Sequence, residues 1–307
     1  MVRTNKAKKP LLKPLKTKHK RHLSPMQIVM GTVLLLYTAS LFIVFLWSIL
    51  TAFKGVTDFE KNKLGLPSLW YWNFSYVFNN FNIVVTTATR QMTVSMGMMY
   101  LNSILYAVGC AFFQTLVTCC TAYVCARYRY KFSKVLHMVV VITMFIPVVG
   151  NLVSEMQIAA ALGFYNQTWG MWIMSANFLG IYFLVFYEAV KALPSALFEA
   201  AQIDGASHMG LMLRIALPLL RNLFFTIFLI NFIRYWNEYQ IPAIYLPEKP
   251  TIAYGMYYLG ILDRGDTMST VPMRMTTAIM VVAPLLIIFL LAHRKLLGNL
   301  TVGGVKA

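Results

Sequence analysis

Residues 27–53 read QIVMGTVLLLYTASLFIVFLWSILTAF, an apolar run without a single charged side chain. A helix rises about 1.5 Å per residue and the hydrocarbon core of a bilayer is about 30 Å thick, so roughly 20 such residues cross it. The run also exceeds the roughly 7–15 apolar residues of a signal-peptide core. Residues 27–53 are therefore predicted to form a retained transmembrane helix.

Five further stretches meet the same test, in a chain of 307 residues that is 59% hydrophobic and 12% charged. Backbone groups in lipid must satisfy one another, and these runs lack the alternation of barrel strands, so helices are expected. The sequence predicts an all-α, polytopic membrane protein with six transmembrane helices. They lie at about residues 27–53, 99–126, 135–156, 169–189, 223–245 and 273–292, within one membrane domain at 24–307.

The distribution of Lys and Arg predicts the orientation, because short loops rich in these residues stay in the cytoplasm. Nine of them lie in residues 1–23, a tail expected to be disordered, and no acid accompanies them. The loop after the second span adds Arg127, Arg129, Lys131 and Lys134. Both termini of this multi-pass protein of the cytoplasmic membrane are predicted to be cytoplasmic. The net charge of +17 is assigned to topology and anionic lipid rather than to nucleic acid.

The loop between the fourth and fifth spans, residues 191–220, is too polar to cross lipid but has a helical pattern. Ser195 is predicted to cap a first short helix, which Gly205 ends after Asp204. Ser207 is predicted to cap a second helix, interrupted by Pro218 near the fifth span. The sequence thus predicts two helices joined by a glycine on the cytoplasmic face.

This loop resembles the EAA loop of ABC-importer permeases in residue type and spacing. The residues that match are Glu199, Ala200, Ala201, Asp204, Gly205, Ile215, Leu217 and Pro218. Trp236-Asn237-Glu238-Tyr239 and the ending at residues 298–306 resemble motifs of the carbohydrate permeases of the maltose type. The resemblance extends from the second span to the C-terminus and does not cover the basic tail.

The resemblance implies that the coupling loop, residues 191–220, docks on a separate ATP-binding subunit. It also implies a second permease subunit in a heterodimer, two ATP-binding subunits that hold ATP and Mg, an extracytoplasmic solute-binding protein and a sugar substrate. The chain itself has no G-x-x-x-x-G-K-[ST] phosphate loop, and its five histidines lack metal-ligand spacing. It is predicted to be a transport subunit without catalytic, cofactor-binding or metal-binding residues.

Polar residues of the fifth span are candidates for the substrate path, because sugars are recognised through hydrogen bonds and aromatic faces. The candidates are Tyr235, Trp236, Asn237 and Glu238. Arg234 and Glu238 are four residues apart on a helix and are expected to pair. Hydrogen bonding between helices is the slightly favoured alternative for these residues.

Three other function classes remain as alternatives. An ABC permease for a non-sugar nutrient would share the EAA loop, and the Trp236-Asn237-Glu238 run argues for sugar instead. An ion-coupled secondary transporter would usually show two related halves and broken helices near the membrane midplane. An intramembrane enzyme would need paired catalytic groups at membrane depth, and no span carries a central aspartate.

Overall fold

The computed structural model describes residues 24–86, 91–128, 130–146, 150–261 and 267–300, with the backbone alone at residues 86 and 292–300. The predicted basic tail at 1–23, Arg129 and the end of the C-terminal motif at 301–307 lie outside the described residues. The chain divides into two units, residues 1–47 and residues 48–307.

The described part of the first unit is most of helix α1, Pro25–Ala52. The helix begins with a capping box, because Ser24 Oγ accepts from Gln27 N at 3.3 Å while Gln27 Oε1 accepts from Ser24 N at 3.0 Å. Its apolar side chains from Met26 to Leu46 are exposed on all sides. A helix that is apolar all round belongs in lipid or against another protein, as the sequence predicts for a span.

The second unit is mostly helical. Its elements are α2 Val56–Lys61, α3 Asn73–Asn80, β1 Asn82–Thr86, β2 Gln91–Ser95, α4 Met96–Arg127, α5 Lys131–Thr143, α6 Leu152–Ala161, α7 Thr168–Ser175, α8 Ile181–Lys191, α9 Ser195–Ile203, α10 His208–Leu211, a π-helical turn Met212–Ala216, α11 Leu217–Asn237, α12 Gln240–Tyr245, α13 Ile252–Ile261, a 3₁₀ turn Thr267–Ser269 and α14 Val271–Leu300.

Four helical segments in the described residues are long and apolar enough to cross a membrane: α1, α4, the continuous stretch His208–Asn237, and α14. A fifth is reached only if α8 and α9, bent by 68° at their junction, count as one span. The prediction of continuous helices at 135–156 and 169–189 is wrong. The first stretch divides into α5 and α6, the second into α7 and α8. Gly150 and Gly180, with φ of +86° and +119°, lie in these breaks.

The predicted fifth span is also displaced. Its helix begins at Leu217 and ends at Asn237, where Glu238 turns to an extended conformation with φ −73° and ψ 120°. Residues 240–245 then form the separate helix α12. The prediction of one helix over 223–245 is therefore wrong in its second half.

A β-hairpin departs from the predicted all-α fold. Strands β1 and β2 pair antiparallel, with Asn82 opposite Ser95 and Val84 opposite Thr93. Ile83, Val85 and Val94 are buried, while Val84 and Thr93 are exposed. This alternation has the period of two expected for a strand with one face on the core.

Helix α4 lies at the centre of the second unit, packed against α7, α8 and α11. Small residues allow this close approach, as is usual between membrane helices. A Cβ added at Gly109 would come within 2.0 Å of Trp172 Nε1, and that indole donates to Leu105 O at 2.9 Å. Cys110, Cys119 and Cys125 are buried small side chains on the same helix, Cys120 is partly buried, and none of the four forms a disulfide within the described residues.

Candidate functional site

The first helix of the coupling loop, α9, begins and ends by different means. Pro194 is its N-cap residue, so Ser195 is already helical and the predicted Ser195 side-chain cap is wrong. At the other end Gly205 N donates to Gln202 O at 3.0 Å and Ala206 N to Ala201 O at 2.9 Å, with Gly205 at φ +83°. This pair of bonds is a Schellman motif, as the predicted glycine stop requires.

The second part of the loop is continuous with the fifth span. Ser207 Oγ accepts from Gly210 N at 3.2 Å, which is the predicted cap. After α10 the backbone passes through the π-helical turn, where Leu217 N bonds to Met212 O, and enters α11 without a break. The predicted interruption at Pro218 is wrong, because the helix continues through Pro218 into α11. The departure from α-helical geometry is the π-helical turn Met212–Ala216, which comes directly before it.

The matched residues of the loop divide by exposure. Exposed are Glu199, Ala200, Asp204, Gly205 and Pro218, whereas Ala201, Ile215 and Leu217 are partly buried. Two apolar neighbours that the sequence analysis missed are also exposed: Ile203 at 87% and Leu197 at 46%. An amphipathic helix would bury such side chains, so α9 presents an acidic and apolar surface that none of the described residues covers.

The C-terminal end of α4 holds the loop in place. The Arg127 guanidinium lies 4.3 Å from the ring centroid of Phe198 on α9, and Phe198 is only 1% exposed. The Tyr128 hydroxyl and His208 Nδ1 on α10 are 2.9 Å apart in a hydrogen bond. In the sequence, Arg127 indicates only the orientation of the chain in the membrane. The local pattern does not predict contacts with residues some 70 to 80 positions away.

Helix α11 is attached to α4 by polar side chains, which are buried except for that of Arg234. Gln114 Oε1 accepts from Arg234 Nη2 at 2.8 Å and from the Tyr235 hydroxyl at 3.1 Å. Asn231 Nδ2 donates to Thr115 Oγ1 at 3.0 Å. Gln114 lies mid-span in an apolar run, which was a sequence signal for a polar contact between helices that the analysis missed.

The four predicted substrate-path residues have separate surroundings. Trp236 Nε1 donates to Val281 O of α14 at 3.2 Å, and Asn237 Nδ2 donates to Ile233 O of its own helix at 2.8 Å. Glu238 Oε1 accepts from Gln240 N at 2.9 Å and so caps α12. The expected pairing of Arg234 with Glu238 is wrong, because Arg234 turns to Gln114 and Glu238 to the start of α12.

A cavity of about 300 Å³ lies near the end of α11 that is farther from the coupling loop. Its polar lining comes from Tyr106, Glu155, Ser175, Asn177, Arg234, Tyr235, Glu238 and Tyr245. Tyr245 is 1% exposed, and its hydroxyl has no hydrogen-bond partner among the described residues. Of the predicted set, Tyr235 and Glu238 line this cavity, whereas Trp236 and Asn237 do not.

Residues 119–297, more than half of the chain, match the model of the family described as the binding-protein-dependent transport system inner membrane component. The match includes the whole coupling loop and all of α11. The chain belongs to this family. It is accordingly a multi-pass transport subunit of a membrane, and the resemblance stated from the EAA motif is confirmed.

Members of this family with recorded substrates are similar to the chain over most of its length. The diacetylchitobiose uptake system permease protein NgcG of Streptomyces coelicolor is 21% identical over 88% of the chain and 86% of that protein. The probable starch degradation products permease AmyC of Thermoanaerobacterium thermosulfurigenes is 26% identical over 90% and 95%. A crystal structure of a bacterial ABC transporter that imports alginate has the same fold, with TM-score 0.71 and 16% identity over 89% of this chain and 98% of that one.

Proposed function

We propose that the chain is the permease subunit of an ATP-driven importer that moves a sugar or oligosaccharide across the cytoplasmic membrane by alternating access. The observation that carries the proposal is the continuous helical stretch from His208 to Asn237. At about 1.5 Å per residue it runs roughly 45 Å, from the coupling loop to the cavity lined by Arg234 and Tyr235. Displacement of the loop therefore moves a wall of the cavity.

The surface of α9 suits an ATP-binding partner. Glu199 and Asp204 are exposed beside the apolar Leu197 and Ile203, a combination that a protein interface with an apolar centre and a charged rim would cover. In this proposal two ATP-binding subunits hold ATP and Mg, and one of them receives α9. Arg127 and Tyr128 make α4 move with the loop through their contacts to Phe198 and His208.

The cavity has the chemistry of a sugar-binding path. Carboxylates of Glu155 and Glu238 and the hydroxyls of Tyr235 and Tyr245 offer acceptors and donors for sugar hydroxyls. The unpartnered Tyr245 hydroxyl favours a ligand, since a buried polar group without a partner costs about 1–3 kcal/mol. Relatives named for diacetylchitobiose, starch products, melibiose, raffinose and stachyose support the same substrate class.

The topology that goes with this function has six crossings. Two of them, α5 with α6 and α7 with α8, are broken helices, and the other four are α1, α4, α10 with α11, and α14. The coupling loop and both termini are then cytoplasmic. A second permease subunit completes the pore, and an extracytoplasmic solute-binding protein delivers the sugar to the opposite face.

Uptake into cells that express the chain with its partner subunits tests this proposal. Labelled maltotriose, raffinose and diacetylchitobiose would be offered, with sn-glycerol-3-phosphate as the non-sugar comparison, because one relative is named for it. We expect uptake of at least one saccharide that vanadate abolishes and an ionophore leaves intact. Uptake of glycerol phosphate alone would favour the permease for a non-sugar nutrient, and collapse by the ionophore would favour a secondary transporter.

A further inference from the structure

A second cavity, of about 680 Å³, lies beside the coupling loop rather than at the far end of α11. Its walls are the last turn of α4, the first turn of α5, the end of α8 and Ser195 at the start of α9. The proposed function assigns this second cavity no role in binding sugar or ATP. A space of this size is adequate for a small ligand or a headgroup.

The charge on the walls has one sign. Arg127, Lys131, Lys134 and Lys191 line the cavity, and no Asp or Glu is among its lining residues. Lys191 pairs with Glu188 at 3.3 Å, but both side chains are at least half exposed, and such a pair is weak. Within the described residues neither Lys131 nor Lys134 forms a salt bridge. The cavity thus retains a strong positive potential, which attracts an anion with several acceptor oxygens.

Helix α5 joins this basic cavity to an apolar surface. Lys131 and Lys134 lie in its first turn, and beyond them Val135, Met138, Val139 and Ile142 form an exposed apolar stripe at helical spacing. Phe132, 62% exposed, stacks on Tyr130, which lines the cavity. Cations beside an apolar membrane-spanning face match the two ends of a phospholipid, a charged headgroup and an acyl chain. An acidic peptide would leave the stripe without a partner.

We propose that this cavity binds the phosphate group of an anionic phospholipid, whose acyl chains lie along the α5 stripe. The proposal rests on the cytoplasmic orientation of the coupling loop given under the proposed function. The bound lipid touches Arg127, which also packs on Phe198, and Ser195, which begins α9. It therefore joins α4, α5, α8 and α9 at the point where the loop meets the bundle, and its removal weakens the coupling of ATP hydrolysis to transport.

Native mass spectrometry of the full chain, purified in detergent with the subunits that remain bound, tests the site directly. Phosphatidylglycerol and phosphatidylcholine with the same acyl chains would be titrated separately. We expect preferential binding of phosphatidylglycerol, and a roughly thirtyfold weaker affinity in the double variant Lys131→Gln, Lys134→Gln. The variant Lys131→Arg, Lys134→Arg keeps both charges and should keep most of the affinity. Both substituted side chains, Lys131 and Lys134, are exposed in the native structure, so folding should not change.

The matched control is Lys61→Gln with Lys63→Gln, which removes one cation from the last turn of α2 and one from the segment just after it. Equal loss of phosphatidylglycerol in this control would overturn the proposal, because general charge would then explain binding. Displacement of the lipid by excess inorganic phosphate, with no preference between the two lipids, would identify a free-phosphate site and also overturn it. The assay requires no transport, so its failure leaves the proposed permease function standing, and failure of sugar uptake leaves a positive lipid result standing.

Discussion

Gly205 is constrained by its backbone conformation and not by crowding. Its φ is +83°, and no atom lies within 4 Å of the position a Cβ would take. Gly205→Ala should therefore lower the free energy of unfolding of the loop by about 1–2 kcal/mol, the cost of the left-handed conformation for a residue with a Cβ. Thermal unfolding in detergent would measure the change. Gly260→Ala is the control, since Gly260 also has open space but lies in helix α13; equal stability of the two variants would contradict this explanation.

Tyr128 contacts His208 through the hydrogen bond of its hydroxyl and through an edge-on ring contact, with the ring centroids 5.3 Å apart, and its ring also packs against Tyr123. Tyr128→Phe keeps the ring and removes the bond, so the loop should remain folded but follow α4 less tightly. We expect more ATP hydrolysed per sugar imported, with basal ATPase activity retained, in proteoliposomes of the assembled transporter. Tyr130→Phe is the control, because the Tyr130 ring stacks on Phe132 and not on the loop. An unchanged ratio in Tyr128→Phe would show that this bond transmits no motion.

Substitution of Tyr245 tests the proposed substrate cavity through KM for uptake, which is measured separately from stability. The buried hydroxyl of Tyr245 has no partner among the described residues, so Tyr245→Phe should fold as well as the native chain or better. If sugar supplies the missing bond, KM for uptake rises by about tenfold, for roughly 1.4 kcal/mol of lost binding. Tyr76→Phe, outside the cavity, serves as the control. A KM unchanged from the native value would remove Tyr245 from the substrate path.

At the scale of elements, the contact between α4 and α11 depends on Gln114. A double-mutant cycle separates the bond seen in the structure from the pairing expected from spacing. Arg234→Met with Gln114→Leu should show a coupling energy of about 1 kcal/mol in the free energy of unfolding. This energy is smaller than that expected for two fully buried side chains, because Arg234 is exposed. Arg234→Met with Glu238→Gln should be additive within about 0.5 kcal/mol. Strong coupling in the second cycle would restore the i, i+4 pair.

The elements that the sequence predicted best are those whose signal is a sum over many residues. Spans 27–53, 99–126 and 273–292 correspond to α1, α4 and α14, because apolar length alone decides them. The breaks at Gly150 and Gly180 were missed, since a hydropathy window adds side-chain character and is blind to a positive φ. The hairpin was missed for a different reason. The β-branched run Ile83-Val84-Val85, which favours a strand, was present in the sequence, but it lay between two predicted spans and was assigned no secondary structure.

In the coupling loop, too, features set by neighbouring residues were predicted, whereas contacts between residues distant in sequence were not. Gly205 and Ser207 behave as predicted because end signals of helices are local. The positions of Arg127, Tyr128 and Gln114 required the fold, because each contacts a residue about 70 to 120 positions away. Ile203, 87% exposed, was missed because an isoleucine in a short helix is usually taken for a buried position.

At the scale of the whole molecule, the second unit places two sites at opposite ends of one helical stretch. The EAA residues lie at the start of His208–Asn237 or just before it, and the cavity with Arg234 and Tyr235 lies near its end. The hydrogen bonds of Asn231, Arg234 and Tyr235 to Thr115 and Gln114 join this stretch to α4, so the two helices can move as a pair. The π-helical turn Met212–Ala216 lies within the stretch, between the coupling loop and α11. Under the proposed function, this arrangement lets a displacement of the coupling loop reach the cavity.

The most direct test of the central claim is recovery of an ATP-binding subunit with the tagged chain after a substitution on the exposed face of α9. Ile203→Asp changes a side chain that is 87% exposed, so folding is unaffected while an apolar docking contact is lost. Leu64→Asp, at 81% exposure in the segment between α2 and α3, is the matched control. The account predicts that the native chain and Leu64→Asp retain the ATP-binding subunit in mild detergent, whereas Ile203→Asp loses most of it. Equal recovery with all three proteins, or no ATP-binding subunit with any of them, would contradict a coupling role for this loop.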